Sequence, residues 1–226
     1  MKKNKLDIIY EDKSIIVINK PSHMLTISTD NEKEKTLFHE VLMYERRKNK
    51  NNKIFIVHRL DKDTSGLIVF AKSLEIKNKL QDNWDRFKRE YVAVVHGVTK
   101  DKEVIKSYLA ETKTLQVYET MDKKIGKLSI TEYEKIKSNK KLSLIKINIK
   151  TGRKHQIRVQ LNNKGYQIVG DKKYGNSKFD PLRRLCLCAN YLEIIHPVTN
   201  KKISFKLDIP KVFIDLLGDI NDWYCK

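Results

Sequence analysis

Apolar residues recur along the chain with two periods, and the switches between them outline its elements. Asp7 to Tyr10 and Ser14 to Asn19 read as strands, the second ended by Lys20-Pro21 because proline cannot donate to a ladder. Thr36 to Arg47 reads as a helix, with Leu37, Val41, Leu42 and Tyr44 on or near one face. Ile54 to Val57 and Leu67 to Ala71 are short buried-type strands flanking a polar loop. Ser73 caps a second predicted helix running to about Arg89, on which Ile76, Leu80, Trp84 and Phe87 share a face. Tyr91 to Val95 is again a strand, closed by His96-Gly97, and alternating segments fill Val104 to Lys150, among them Leu142 to Ile149. A Thr151-Gly152 turn leads into a short helix from about Lys154 to Leu161, with Ile157 and Leu161 toward the core. Strands resume near Leu185 to Ile195 and Ile203 to Leu207, and Val212 to Leu217 gives a final helical turn or two. Strands dominate and several adjoin without a helical crossover, which is the pattern of an α+β fold on a mixed, mostly antiparallel sheet.

The 226 residues, 40% hydrophobic, can bury a real core, and no repeat or Pro/Gly/Ser-rich linker divides them, so residues 1–226 are expected to form one domain. The formal charge of +19 points to a polyanionic partner. A bland explanation exists, since a Lys-, Asn- and Ile-rich composition also follows from an AT-rich genome. That bias would not enrich arginine, yet arginines come in local sets: Arg46-Arg47, Arg86 with Arg89, Arg153 with Arg158, and Arg183-Arg184. No apolar run approaches the roughly 20 residues of a membrane span. The acids after Met1 to Lys5 interrupt any signal sequence. The expectation is a soluble, cytoplasmic protein. Cys186, Cys188 and Cys225 cannot build a disulfide framework, and Cys186-Leu187-Cys188 lacks a second ligand pair at zinc spacing.

Two stretches could carry chemistry. In His58-Arg59-Leu60-Asp61-Lys62-Asp63-Thr64-Ser65-Gly66-Leu67 a polar loop sits between apolar strands. Its Asp-x-Asp-x-Ser-Gly opening resembles a calcium loop, but the twelfth position is Lys72 and the flanks are strands, so calcium is excluded. A plain Asp-rich turn would need no function. Against that stands the crowding of His58, Arg59 and Asp61 beside Leu60, Leu67 and Ile68, where a carboxylate needs a cation to remain charged. The second stretch, Thr151-Gly152-Arg153-Lys154-His155-Gln156-Ile157-Arg158, is no phosphate-binding P-loop. It reads as a turn entering a basic helix, with His155 and Arg158 one turn apart; a solvated basic helix is the competing reading. Serine-elbow, activated-cysteine and HExxH patterns are missing.

Together these motifs resemble the RluA family of RNA pseudouridine synthases. His58-Arg59-Leu60-Asp61 with Thr64-Ser65-Gly66-Leu67 is similar to its signature loop. Val17 to Pro21, Tyr91 to Gly97, Thr151 to Arg158, Ile168 to Gly175, and His196 to Thr199 follow in the family's order. The chain departs from the pattern at Ser22-His23, where a small Ala-Gly pair is common, at Gln167 in place of proline, and at Cys188 in place of histidine. It starts almost directly in the catalytic domain, so the resemblance is to forms lacking an N-terminal S4 domain.

The resemblance implies a bent mixed sheet with peripheral helices and a central RNA cleft. It further implies isomerisation of uridine in ribosomal or transfer RNA to pseudouridine, by a monomer without metal or other cofactor. Asp61 would be the nucleophile, attacking C1′ or C6, with Arg158 its ion-pair partner. Tyr91 would stack on the uracil and assist late proton removal, and Arg59 would contact RNA or fill the space of the extruded base. His58, Lys62, Arg153, Lys154 and His155 are the remaining candidate RNA contacts. Two rivals stay open at this point: a non-catalytic RNA-binding or assembly factor, and a nucleoside or glycoside hydrolase, although the latter usually needs two acids.

Overall fold

The computed structural model describes residues 6–28, 34–175 and 180–218; the Met1 to Lys5 opening and Cys225 lie outside them. In chain order the elements are β1 (Ile8–Glu11), β2 (Ile15–Lys20), α1 (Leu37–Lys48), β3 (Phe55–Ile56), β4 (Ser65–Ala71), α2 (Leu74–Asp82), β5 (Lys88–His96), β6 (Lys102–Glu111), β7 (Val117–Thr120), β8 (Lys127–Ser138), β9 (Leu142–Ile149), α3 (Gln156–Asn163), β10 (Leu187–Ile195), β11 (Lys202–Lys206) and α4 (Lys211–Asp215). This is the expected α+β class. The expected N-cap is made, Ser73 accepting from the Ile76 amide, and Thr36 caps α1 in the same way from the His39 amide, each at 3.2 Å.

The second helix is shorter than its apolar spacing suggests. α2 ends at Asp82, Trp84–Arg86 is a 3-10 turn, and Phe87 is already extended. Asn83 accounts for the stop, because its amide donates to Lys79 O at 3.0 Å and competes for the backbone. The apolar residues stay together regardless: Ile76, Leu80 and Phe87 are buried in one cluster against which Trp84 packs. α3 likewise starts two residues late, after His155 adopts a left-handed backbone with φ of 53°. Its Gln156 to Leu161 are all buried, so the solvated basic helix is ruled out.

Two compact units are distinguished, Met1–Lys88 with Ala189–Leu207, and Arg89–Cys188 with Asp208–Lys226. In the first the strand order is β1-β2-β4-β10, with β3 on β4 and β11 on β10. Pairing of β2 with β4 is antiparallel, Ile15 opposite Ala71 through Lys20 opposite Gly66, and all seven β4 residues are buried. The second unit runs β5-β9-β8-β6-β7, each neighbouring pair antiparallel. There α3 is fastened by a buried amide chain. Gln160 Nε2 donates to Ser107 Oγ (2.9 Å) and Ser129 O (3.0 Å), and its Oε1 accepts from Thr131 Oγ1 (2.6 Å). Gln156 Nε2 donates to the same Thr131 Oγ1 (2.9 Å), while its Oε1 accepts from Thr151 Oγ1 and the Arg153 amide. Buried polar groups satisfied in this way fix the register of the helix.

Gly66 opens β4 with φ of 116°, and a Cβ there would lie 2.2 Å from Ala189 O. Both facts require glycine. Gly66→Ala is expected to lower unfolding free energy by about 3 kcal/mol or more in urea titration; a loss under about 0.5 kcal/mol would contradict the close backbone approach.

Candidate active site

The loop His58 to Thr64 between β3 and β4 has no ladder of its own, so its carbonyls need partners from elsewhere. Residues 20–26 supply them. Thr26 Oγ1 donates to Leu60 O at 2.7 Å and accepts from the Leu60 amide at 3.3 Å. Lys20 Nζ donates to Lys62 O at 3.0 Å and Ser22 Oγ to Asp63 O at 2.6 Å. The carbonyl of Asp61 accepts the Thr64 amide at 3.2 Å and closes the turn.

Lys20 is the hub of this arrangement. Its side chain is fully buried, and Nζ also donates to Pro21 O (2.9 Å) and Met24 O (2.8 Å), so all three ammonium hydrogens have acceptors. Burial pulls its pKa down to about 8, against the opposing charges of Asp61 and Asp63. Asp61 itself is half-buried, whereas Arg59 and Lys62 are exposed. Asp63 Oδ1 lies 3.0 Å from His23 Nδ1. His58 Nε2 accepts the Val69 amide at 3.1 Å where the two-residue β3 has stopped, and its ring stacks on Trp84 with centroids 4.2 Å apart. An accepting Nε2 carries no proton, so this ring is held in the tautomer protonated at Nδ1.

In the second unit Tyr91 is half-buried on β5, opposite Ile147 of β9. Arg158, on α3, is buried and bidentate: Nε and Nη2 donate to Asp171 Oδ2 and Oδ1 at 2.8 and 2.7 Å. Asp171 also accepts the Lys173 and Tyr174 amides. Burial would raise its pKa, but Arg158 outweighs that and holds the carboxyl below its usual range. The guanidinium lies 5.2 Å over the Tyr174 ring, and the Tyr174 hydroxyl is 2.6 Å from His155 Nδ1. Lys154 pairs with Glu111, and exposed Arg153 donates from Nε to Leu128 O at 3.3 Å.

The first unit therefore gathers His58, Arg59, Asp61 and Lys62 on one loop. The second gathers His155 and Arg158 around Tyr174, with Arg153 and Lys154 nearby. Lys20, Asp171 and Tyr174 received no role from sequence reasoning. One signal was present, since Lys20 falls on the same strand face as Ile16 and Ile18. Among the described residues no three His, Cys, Asp or Glu side chains gather as a metal site. Cys186 is buried, which pushes its thiol up to about 12. No helix among the described residues is long and apolar enough to cross a membrane.

A family model described as RNA pseudouridylate synthase matches residues 14–163. The chain is similar to an uncharacterized RNA pseudouridine synthase of Mycoplasma genitalium, 35% identical over 96% of this chain and 71% of that protein. It is also similar to ribosomal large subunit pseudouridine synthase D of Buchnera aphidicola, 33% identical over 94% of this chain and 72% of that one. Among solved structures, human RNA pseudouridylate synthase domain containing 4 matches with a TM-score of 0.77 and 20% identity, covering 92% of this chain and 90% of that one, a likeness of fold.

The buried ammonium carries a test of its own. The folded chain releases the Lys20 proton near pH 8, whereas the unfolded chain keeps it to its ordinary 10.5. Between those values the unfolded state binds more protons, so stability from this group rises with pH, by up to about 3 kcal/mol. Urea unfolding from pH 7 to 10.5 is expected to show wild type gaining that increment over Lys20→Met; parallel pH curves would refute a buried charge at position 20.

Proposed function

The chain belongs to the RNA pseudouridylate synthase family, and from that premise we propose that Asp61 is the nucleophile with which it isomerises uridine in structured ribosomal or transfer RNA. The reaction breaks the uracil N1–C1′ bond, turns the base and forms a C5–C1′ bond, so no atom is gained or lost. A covalent intermediate on an enzyme carboxylate divides this into two easier steps, with C1′ or C6 as the point of attack. The observation that carries this reading is the Asp61 turn: its backbone is fixed by side chains of residues 20–26, and the Lys20 ammonium beneath has Asp61 in its field.

The other roles follow from chemistry. Arg158 is the cation that orients the Asp61 carboxylate. Its Nε and Nη2 are bound by Asp171, which fixes the plane of the guanidinium. Tyr91 stacks on the extruded uracil and assists the loss of the C5 proton. Exposed Arg59 occupies the space the base leaves or meets the backbone of the RNA, and Lys62, Arg153, Lys154 and His155 meet phosphates. With Nε2 committed to Val69, His58 acts through the shape of the loop rather than as a proton carrier. The protein acts as a monomer in the cytoplasm, and no cofactor enters this reading, because an enzyme carboxylate supplies the covalent step and the isomerisation takes up or gives off no electron or group.

The test is to incubate the protein with ribosomal and transfer RNA from a strain lacking the gene and to map pseudouridine chemically. New sites are expected with wild type. Asp61→Asn should cut single-turnover conversion by at least about 10³-fold while RNA affinity stays within about threefold. Undiminished sites with Asp61→Asn would defeat the nucleophile assignment. Wild type that binds RNA without creating sites would favour the assembly-factor reading, and release of free uracil the hydrolase.

A further inference from the structure

Among the side chains that hold the 58–64 loop, His23 is the one whose own backbone is strained. Its φ of 63° lies in the left-handed region, where a residue with a Cβ is disfavoured by about 1 kcal/mol and glycine is at ease. Strain of this kind persists where the surroundings enforce it, and such places cluster at functional sites. At His23 the side chain meets Asp63, with Nδ1 3.0 Å from Oδ1. The residue before it reaches the same target, Ser22 Oγ donating to Asp63 O at 2.6 Å. Asp63 is thus gripped at its carboxylate and its carbonyl by two adjacent side chains, at the positions where this sequence carries Ser-His.

The grip falls two residues beyond Asp61, inside the turn closed by the Thr64 amide on Asp61 O. The paired side chains of His23 and Asp63 are 57% and 40% exposed, so the pair adds little to global stability. A contact that is weak for folding and costly in backbone strain, yet attached to the segment bearing a reactive carboxylate, fits a role in geometry rather than in stability. We propose that Ser22 and His23 are positioning residues, which by gripping Asp63 hold the Asp61 turn in the conformation from which its carboxylate reacts. This rests on Asp61 being the nucleophile. The physical scale is set by the sensitivity of reacting groups to displacements well under 1 Å.

His23→Gly removes the hold on the Asp63 carboxylate and relieves the strain at once. Single-turnover conversion is expected to fall about 3- to 10-fold, with the dissociation constant for RNA within about twofold of wild type. The thermal midpoint should be unchanged or higher, a divergence that a merely structural residue would not give, because it would lose rate and stability together. His23→Asn, which tolerates a left-handed backbone and keeps a donor for Asp63, should recover most of the rate. His23→Gly combined with Asp63→Ala should cost no more than the larger single change, since both break one contact. Full activity in His23→Gly, a rate loss matched by a fall in midpoint, or additive effects in the double variant would overturn the proposal. Asp61→Asn run alongside separates the two readings: if it stays active the nucleophile assignment fails, and if it is inactive while His23→Gly is fully active only the grip fails.

Discussion

A buried ammonium with uncharged partners is the constraint on which the first unit turns. Lys20 gives its three hydrogens to the carbonyls of Pro21, Met24 and Lys62, so it staples its own segment to a loop that has no regular structure. Removing a charge from water is expensive, and carbonyl dipoles compensate that cost without cancelling the charge. The positive field is therefore still felt by Asp61 and Asp63, which in turn help keep the lysine protonated. The same group fixes the position of the loop and sets the potential in which its carboxylates sit.

Arg158 in the second unit solves the same problem in the opposite way. Its buried charge faces the carboxylate of Asp171, and the pair is completed by two backbone amides on the acid and the face of Tyr174 on the base. Here one edge of the guanidinium is neutralised and immobilised together. The helix that carries it is itself docked by Gln156 and Gln160, whose amides satisfy hydroxyls and carbonyls of the β6 and β8 region. Position is enforced by polar groups that would each be costly to leave unpaired, beside the buried apolar contacts of Ile157 and Leu161.

Periodicity made most elements legible. β2, β4 and β9 are apolar enough to be read without ambiguity, and α1 declares its start at Thr36. The stretch from Asn83 to Phe87 was illegible as a boundary, because Trp84 and Phe87 continue the buried stripe of α2 after the helix has ended. A hydrophobic pattern reports which side chains face the core and not how the backbone carries them there. At the candidate site, the acid and the basic residues stood out because charges beside apolar runs are conspicuous. Their supports did not. Asp171 and Tyr174 lie 13 and 16 positions beyond Arg158, and His23 lies 40 before Asp63, distances across which no local rule couples one residue to another.

Trp84 gives the first unit an optical consequence. Its indole stacks on His58 at 4.2 Å and meets Phe87 edge-on at 5.8 Å, and His58 is itself fastened to the backbone of β4. The other tryptophan, Trp223, is outside the described residues. The surroundings of the Trp84 indole therefore change when the His58 end of the segment bearing Asp61 leaves its seat. With Trp223 replaced by phenylalanine, Trp84 is the one indole left in the chain, an intrinsic probe at the base of that segment that needs no attached dye.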